Sequence, residues 1–257
     1  IQQGKVLAPN PTYGSVTGTA KMLGLDIISV PVGENMGIDL DAMRSAMTDD
    51  VKLVYLCNPN NPIPSIIEKN SLRDFCIEMS KRAIVLVDEA YYEYVNNPDF
   101  ESMKSLVTEH KNIIVCRTAS KIHGFAGVRM GFAFAHPETM RLITGPFNLS
   151  LSNVAVAGAV ESYQDTEYQT FIKQKNRESM DILEKMFKDL NYEYIKSNSN
   201  FAFFNAGRPS TEVATALKKH GIISGRPFPP FTNWVRMSTV KPEEMQYVVD
   251  AYRKEFG

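Results

Sequence analysis

The sequence contains few of the residues that build disulfide frameworks or metal sites. Three cysteines and four histidines occur among 257 residues. Cys57, Cys76 and Cys116 are odd in number and far apart, which argues against both a disulfide framework and a zinc knuckle. We therefore expect reduced thiols in the core of a cytoplasmic protein. The histidines show no ligand spacing such as H-E-x-x-H, so the sequence predicts no metal site.

An excess of one charge and long apolar runs are also missing. The chain has 28 basic and 29 acidic residues and a net charge of −1. A nucleic-acid binder usually shows a basic excess, so we expect no nucleic-acid partner. No apolar run reaches the roughly 18 residues that a membrane span requires, so we expect no membrane partner. The opening Ile1-Gln2-Gln3-Gly4 does not resemble a signal peptide.

Short apolar runs alternate with amphipathic segments through the first part of the chain. With 44% apolar and 22% charged residues, the composition is that of a globular protein. The apolar runs are continuous, as in strands that are covered on both faces. This alternation predicts an α/β layered domain with a mostly parallel sheet. The predicted strands are 25–32, 53–57, 83–87, 113–116 and 130–135, and the predicted helices are 13–23, 39–47 and 69–82, with Asp39 as an N-cap.

The pattern changes after about residue 150. A long helical tract over 153–190 is followed by a strand over 200–205, a helix over 210–220, a strand over 234–238 and a last helix from residue 241. This order predicts a small α+β domain joined by the long helix. We therefore expect a large domain over residues 1–160, and a linking helix with a small C-terminal domain over residues 161–257.

The loop over residues 118–132, TASKIHGFAGVRMGF, has the composition of an anion-binding loop. It lies between two predicted strands, at a strand end where α/β folds place their ligands. Lys121 is flanked by the hydroxyls of Thr118 and Ser120, and Arg129 follows eight residues later. Small residues let backbone N–H groups approach a phosphate, so we predict that this loop binds an anion.

Two further segments place polar residues at strand ends. The second predicted strand ends in Asn58-Pro59-Asn60-Asn61-Pro62, which taken alone is typical of a structural turn. The third ends in Asp88-Glu89. A carboxylate there is costly to bury unless a cation or a donor meets it, although Asp88 could also cap a helix.

Together the three segments resemble the fold-type I pyridoxal-phosphate enzymes, within them the class I and II aminotransferases, and most closely the histidinol-phosphate aminotransferase branch. Asp88 lies 27 residues after Asn61, and Lys121 lies 33 residues after Asp88. The resemblance extends from Pro11 to Ser238. It implies a three-layer α/β/α large domain with a mostly parallel sheet, and a small C-terminal α+β domain.

The resemblance implies that Lys121 and Asp88 perform the chemistry. Lys121 would form the internal aldimine with pyridoxal 5'-phosphate and then, as general base, move the Cα proton to C4′. Both roles need a neutral amine, which cationic surroundings and partial burial favour. Asp88 would pair with the pyridine nitrogen and keep it protonated, so that the ring acts as an electron sink.

The other implied roles concern binding. Donors to the phenolic O3′ would come from Asn61 and Tyr91. The phosphate would be held by Thr118, Ser120 and Arg129, because a guanidinium suits a forked contact. Tyr13 would stack on the cofactor ring, and Arg236 would bind the substrate α-carboxylate.

Two departures from the family pattern affect these expectations. The family usually continues Asn-Pro with Thr-Gly, whereas here Pro62 is followed by Ile63-Pro64, which stiffens the turn. The family also has roughly eighty further residues before Pro11, including a helix N-terminus that binds the phosphate. If this chain were the whole protein, we would expect weak cofactor binding. As a piece of a longer chain it keeps the expectation of activity.

Three functions remain open from the sequence. The first is an aminotransferase that moves an amino group from an L-amino acid or histidinol phosphate to a 2-oxo acid, working as a homodimer. The second is a decarboxylase of the threonine-phosphate type, which shares these motifs. The third is a catalytically silent, shortened relative that serves as a binding module.

Overall fold

The structure is a computed structural model that describes residues 3–144 and 151–257. Ile1 and Gln2, the start of the segment expected not to be a signal peptide, lie outside these ranges. The chain divides into two compact units. The first comprises Ile1–Asn61 and Ser65–Asp165, and the second comprises Pro62–Pro64 and Thr166–Gly257. In the described parts of the chain, no helix is both long and apolar enough to cross a bilayer.

A mostly parallel sheet forms the centre of the first unit. Its strand order is β2-β1-β3-β4-β5-β6, and only the β5–β6 pair is antiparallel among these neighbours. The strands are β1 (Lys5–Asn10), β2 (Asp26–Pro31), β3 (Val51–Cys57), β4 (Ile84–Asp88), β5 (Ile113–Thr118) and β6 (Gly131–Ala135). Because parallel strands run in one direction, the carboxyl ends of β3, β4 and β5 meet at one edge of the sheet.

Helices cover both faces of this sheet. The helices of the unit are α1 (Gly14–Met22), α2 (Leu40–Ser45), α3 (Lys69–Ser80), α4 (Pro137–Thr144) and α5 (Asn153–Gln164), with short 3-10 segments at Tyr92–Tyr94 and Met103–Thr108. Phe75 of α3 is fully buried in a cluster with Leu56 and Val87 of the sheet. On the opposite face, Ala20 of α1 lies in a cluster with Tyr55. The predicted α/β fold with a mostly parallel sheet is confirmed.

The predicted elements lie close to their observed positions. Asp39 caps α2 as expected, since its carboxylate accepts a hydrogen bond of 2.9 Å from the backbone N–H of Ala42. The single helix predicted over 153–190 is wrong, because the tract breaks at Asp165 into α5 and α6 (Thr166–Asp189). Asp and Thr bond to nearby backbone groups and so favour helix ends over helix interiors.

The second unit packs three helices with a small antiparallel sheet. The sheet has the order β7-β8-β9. The elements after α6 are β7 (Tyr194–Ile195), β8 (Phe201–Asn205), α7 (Ser210–Lys218), β9 (Trp234–Ser238) and α8 (Pro242–Phe256). Phe187 of α6 and Phe204 of β8 stack with ring centroids 4.5 Å apart in the core of this unit. Strand β7 was not predicted, because its two residues are too short for an apolar period. Helix α4 was not predicted either, although its eight residues exceed the six of α2.

Candidate active site

The carboxyl ends of three neighbouring strands place polar groups side by side. Asp88, the last residue of β4, is in register with Cys57 on β3 and with Cys116 on β5. The β5 strand continues to Thr118, after which the loop with Lys121 begins. The strand ends therefore bring together the Asp88 and Lys121 segments, which lie far apart in the sequence.

A pocket of about 330 Å³ opens at this edge, within the first unit. Its volume is at the lower end of the range for small-molecule sites. Seven residues that the sequence predicted for the site line it, namely Tyr13, Asp88, Tyr91, Thr118, Ser120, Lys121 and Arg129. The sequence motifs thus converge on one cavity.

The loop after β5 is held tightly around Lys121. The backbone N–H of Gly124 donates to the Lys121 carbonyl at 2.9 Å, and that of Phe125 donates to the Ala119 carbonyl at 2.9 Å. Gly124 has φ +70°, a left-handed conformation that glycine adopts without a steric cost. The Nζ of Lys121 lies 5.2 Å from the centroid of the Tyr91 ring. The turn therefore holds the backbone of Lys121 at the pocket, with its amine beside the Tyr91 ring.

Hydroxyls and a guanidinium gather beside Lys121. The hydroxyls of Thr118 and Ser120 lie 2.9 Å apart, and the Ser120 backbone N–H donates to Thr118 Oγ1 at 3.1 Å. Arg129 is exposed and donates to the Ala126 carbonyl at 2.8 Å. Its φ of 63° is a left-handed conformation that is costly for an arginine and that occurs often at functional sites.

Asp88 is a half-buried carboxyl group with two hydrogen-bond donors. The Ala90 backbone N–H donates to Oδ1 at 3.1 Å, and the Tyr55 hydroxyl donates to Oδ2 at 3.1 Å. Burial raises the pKa of Asp88, while these two donors and the positive charge of Lys121 lower it. The helix-cap alternative is not supported, because no α-helix begins at Asp88.

The asparagine-rich turn after β3 has two kinds of members. Asn58 and Asn60 are buried and bond to the chain: Asn58 Oδ1 accepts from the Ile67 N–H at 3.0 Å, and Asn60 Nδ2 donates to the Pro11 carbonyl at 3.0 Å. Asn61 instead donates from Nδ2 to the Tyr91 hydroxyl at 3.2 Å. Asn58 and Asn60 therefore stabilise the turn itself, whereas Asn61 contacts Tyr91, which lines the pocket.

A buried ion pair supports the same edge of the sheet. Glu89 accepts hydrogen bonds of 3.0 and 2.9 Å from Nε and an Nη of Arg117. Ser102 and the Met103 N–H also donate to this carboxylate, at 2.7 and 2.8 Å. The Arg117 guanidinium lies 3.6 Å from the Tyr92 ring centroid. The sequence pointed to Glu89 only as the neighbour of Asp88, because nothing in it pairs Glu89 with Arg117.

The cysteines are not reactive groups of this site. Cys57 and Cys116 line the pocket, but burial raises the pKa of Cys57 and raises that of Cys116 to about 11. Both are therefore neutral thiols near neutral pH, and thiolate chemistry is disfavoured. All three cysteines are free. Within the described ranges, no group of three or more His, Cys, Asp or Glu side chains is arranged to hold a metal ion.

Arg236 lies in the second unit rather than with the other predicted residues. It is on β9, its guanidinium lies 3.9 Å from the Phe201 ring centroid, and an Nη donates to the Ser238 hydroxyl at 3.3 Å. Its role at the substrate stays a prediction.

Comparison with known proteins identifies the family. The family model for aminotransferase class I and II matches residues 2–251. The chain belongs to the class I and II aminotransferase family. A histidinol-phosphate aminotransferase from Symbiobacterium thermophilum is 32% identical over 256 residues, which cover 98% of this chain and 70% of that protein.

Solved structures agree with this assignment. A structure assigned as a histidinol-phosphate aminotransferase from Erwinia carotovora atroseptica has a TM-score of 0.93 and 33% identity, over 97% of this chain and 73% of that one. The histidinol-phosphate aminotransferase from Sinorhizobium meliloti, in complex with pyridoxal-5'-phosphate, has a TM-score of 0.89 and 24% identity, over 99% and 72%. This second likeness shows the shared fold. The chain is a pyridoxal-phosphate-dependent aminotransferase.

The groups around the pocket of this aminotransferase fit that cofactor. An amine can bind an aldehyde, a buried carboxylate can meet a ring N–H, and two hydroxyls with a guanidinium can meet a phosphate. Lys121, Asp88 and the Thr118–Ser120–Arg129 group supply these in one cavity. The amino donor and the 2-oxo acid of the reaction are its small-molecule partners.

Proposed function

We propose that the pocket at the ends of β3, β4 and β5 is the active site, and that Lys121 is its catalytic residue. Bound pyridoxal phosphate supplies an electron sink that stabilises negative charge at the substrate Cα. The observation that supports the assignment is that Lys121 and Asp88 line one pocket with the anion-binding groups.

Lys121 acts at two places in the proposed mechanism. Its Nζ would hold the cofactor at its aldehyde carbon, and the same amine would move the proton between the substrate Cα and C4′. The Gly124 and Phe125 hydrogen bonds constrain the loop backbone, which keeps the base of the Lys121 side chain at the pocket.

The remaining pocket residues hold the cofactor in the proposed site. Asp88 binds the ring N–H, and Asn61 and Tyr91 donate to O3′ from adjoining positions. Arg129 meets the phosphate with the hydroxyls of Thr118 and Ser120. Tyr13, whose side chain is half exposed, packs on the ring and shields it from water.

We propose histidinol phosphate as the amino donor and Arg236 as the residue that binds a substrate carboxylate. The similarity to histidinol-phosphate aminotransferases supports the first part, and the position of Arg236 between the buried residues Val235 and Met237 supports the second. Arg236 would act in the half-reaction of the carboxylate-bearing partner, the 2-oxo acid.

The test compares histidinol phosphate with histidinol and with aspartate as donors to a panel of 2-oxo acids, with new amino acids measured by NMR. We expect faster transfer from histidinol phosphate than from the other two donors. Transfer from aspartate alone would overturn the proposed substrate and leave aminotransfer intact. Release of CO₂ from threonine phosphate, offered without a 2-oxo acid, would support the decarboxylase instead.

We further propose that the protein is a homodimer in the cytoplasm. Exposed apolar side chains at Leu151, Val154 and Val160 of one segment favour a protein partner, and free thiols favour a reducing compartment. Sedimentation equilibrium tests the dimer, and a monomer at micromolar concentration would contradict it.

We also propose that residues 1–160 act as the cofactor domain and residues 161–257 as a separate domain, which the division near Asp165 supports.

A further inference from the structure

Tyr55 contacts Asp88 from behind the pocket. It is fully buried, and its hydroxyl donates to Asp88 Oδ2 at 3.1 Å. Tyr55 is not among the residues that line the cavity, whereas Asp88 is. Any effect of Tyr55 on the pocket must therefore pass through its neighbours.

The strand register explains why the contact forms. Tyr55 on β3 pairs with Leu86 on β4, and Asp88 lies two residues further along β4. Side chains two apart on a strand share a face, and an aromatic side chain can reach such a diagonal neighbour. The ring of Tyr55 is packed in a buried cluster with Val6 and Ala8 of β1, so its hydroxyl has little freedom to move.

The chemistry of the contact favours an ionised, oriented carboxylate. Burial raises the pKa of Tyr55, so the phenol stays protonated and remains a donor. With Ala90 N–H on Oδ1 and Tyr55 on Oδ2, each oxygen of Asp88 has a donor from the protein. A donor to the charged form opposes the effect of burial on Asp88.

We propose that Tyr55 is a positioning residue that holds the Asp88 carboxylate oriented and ionised for a ring N–H in the pocket. The inference rests on the proposed role of Asp88. The backbone donor at Ala90 can be removed only by a proline, which also restricts the backbone, so Tyr55 is the contact that a conservative substitution can test.

The first experiment uses the protein without cofactor. In Tyr55→Phe, labelled with [¹³C]aspartate and assigned with Asp88→Asn, we expect the NMR titration to give a higher pKa for Asp88 than in wild type. Site-specific 3-fluorotyrosine at position 55, a stronger donor of nearly the same shape, should lower it. An Asp88 pKa unchanged by both substitutions would overturn the proposal.

The second experiment measures cofactor affinity in a double-mutant cycle. Tyr55→Phe should weaken pyridoxal phosphate binding about threefold to tenfold, and should add nothing in an Asp88→Ala background, because the acceptor is gone. The matched control is Tyr252→Phe, which removes another buried phenol, 3.4 Å from the Tyr192 hydroxyl, and should leave affinity unchanged. An equal loss from Tyr55→Phe in both backgrounds would show a general packing effect and overturn the proposal.

The two experiments separate the inference from its premise. If Asp88→Ala left cofactor affinity unchanged, the proposed role of Asp88 would be wrong, and the positioning role would be wrong with it. If Asp88→Ala weakened binding while Tyr55→Phe changed neither the carboxyl pKa nor the affinity, the inference about Tyr55 alone would be wrong.

Discussion

The side-chain amide of Asn61 donates a hydrogen bond of 3.2 Å to the hydroxyl of Tyr91, across 30 residues of sequence. Asn61 follows β3 and Tyr91 follows β4, and these strands are neighbours in the sheet. The contact joins two segments whose roles, structural or functional, were ambiguous from the sequence of each one alone. It supports the proposal that both residues donate to the same cofactor oxygen.

Loss of either donor should weaken cofactor binding. Asn61→Ala and Tyr91→Phe should each raise the Kd for pyridoxal phosphate about fivefold to twentyfold, since each removes a hydrogen bond to a polarised oxygen. Because the two side chains touch, the losses should not add in the double variant. Fluorescence titration measures all three values. Fully additive losses would contradict a shared site.

The half-buried carboxyl group of Asp88 predicts opposite effects on stability with and without cofactor. Burial raises the pKa of Asp88 above its ordinary 3.8, so the folded state holds this proton more tightly than the unfolded state does. The corresponding stability is present below the ordinary value and is lost as pH rises through the raised value. Without cofactor, Asp88→Asn should therefore be more stable than wild type at about pH 7, and its pH profile should be flatter above about pH 4.

Saturating pyridoxal phosphate should make wild type more stable than Asp88→Asn, because a ligand stabilises most the protein that binds it more tightly. Thermal unfolding of both proteins, with and without cofactor, measures the crossover. An Asp88→Asn protein that was less stable than wild type under both conditions would contradict the account of Asp88 as a destabilising group kept for binding.

Arg129 should act on the phosphate alone. Arg129→Ala should weaken pyridoxal phosphate binding about tenfold or more and leave the weaker binding of pyridoxal, which has no phosphate, nearly unchanged. Arg129→Lys keeps the charge but loses the forked geometry. Its affinity for pyridoxal phosphate should therefore lie between that of wild type and that of Arg129→Ala. Arg141→Ala, at an exposed arginine of α4, is the control. Equal losses for both ligands would mean that Arg129 does not contact the phosphate.

Breaking the Glu89–Arg117 pair should destabilise the first unit strongly. The two side chains are 1% and 10% exposed, so Glu89→Gln leaves a buried guanidinium without its counter-charge and should cost about 3–5 kcal/mol. The exposed Arg82–Asp49 pair, at 2.8 Å, gives the control, and Arg82→Ala should cost less than about 1 kcal/mol. Urea unfolding measures the free energy of unfolding of both variants and of wild type. Similar costs for both variants would show that the buried pair has no special structural role.

The sequence predicted the fold well where apolar periodicity is strong. The continuous apolar runs of β3 and β4 are mostly buried, although Ile84 and Leu86 on one face of β4 are only half-buried, and the structure shows both as parallel strands. The break at Asp165 was missed because residues 161–170, ESYQDTEYQT, contain no glycine or proline that would signal a helix end.

The candidate site was predictable as far as its motifs extend. Lys121, Asp88 and Arg129 lie in short segments with distinct chemistry, so they could be named from spacing and resemblance. Tyr55 and Arg117 could not, because their partners are defined by strand register rather than by sequence distance. The sequence contained one indication of a role for Tyr55, namely a phenol within an apolar strand, two residues before Cys57.

The most direct test of the central claim is an absorbance titration of the purified chain with pyridoxal phosphate, alongside Lys121→Ala. The control is Lys111→Ala, at an exposed lysine that pairs with Glu138. Wild type and Lys111→Ala should show a visible band of bound cofactor that an amino donor bleaches, and Lys121→Ala should not. The same band in Lys121→Ala, at the same cofactor concentrations and with the same response to donor, would contradict the assignment of Lys121 and of the pocket around it.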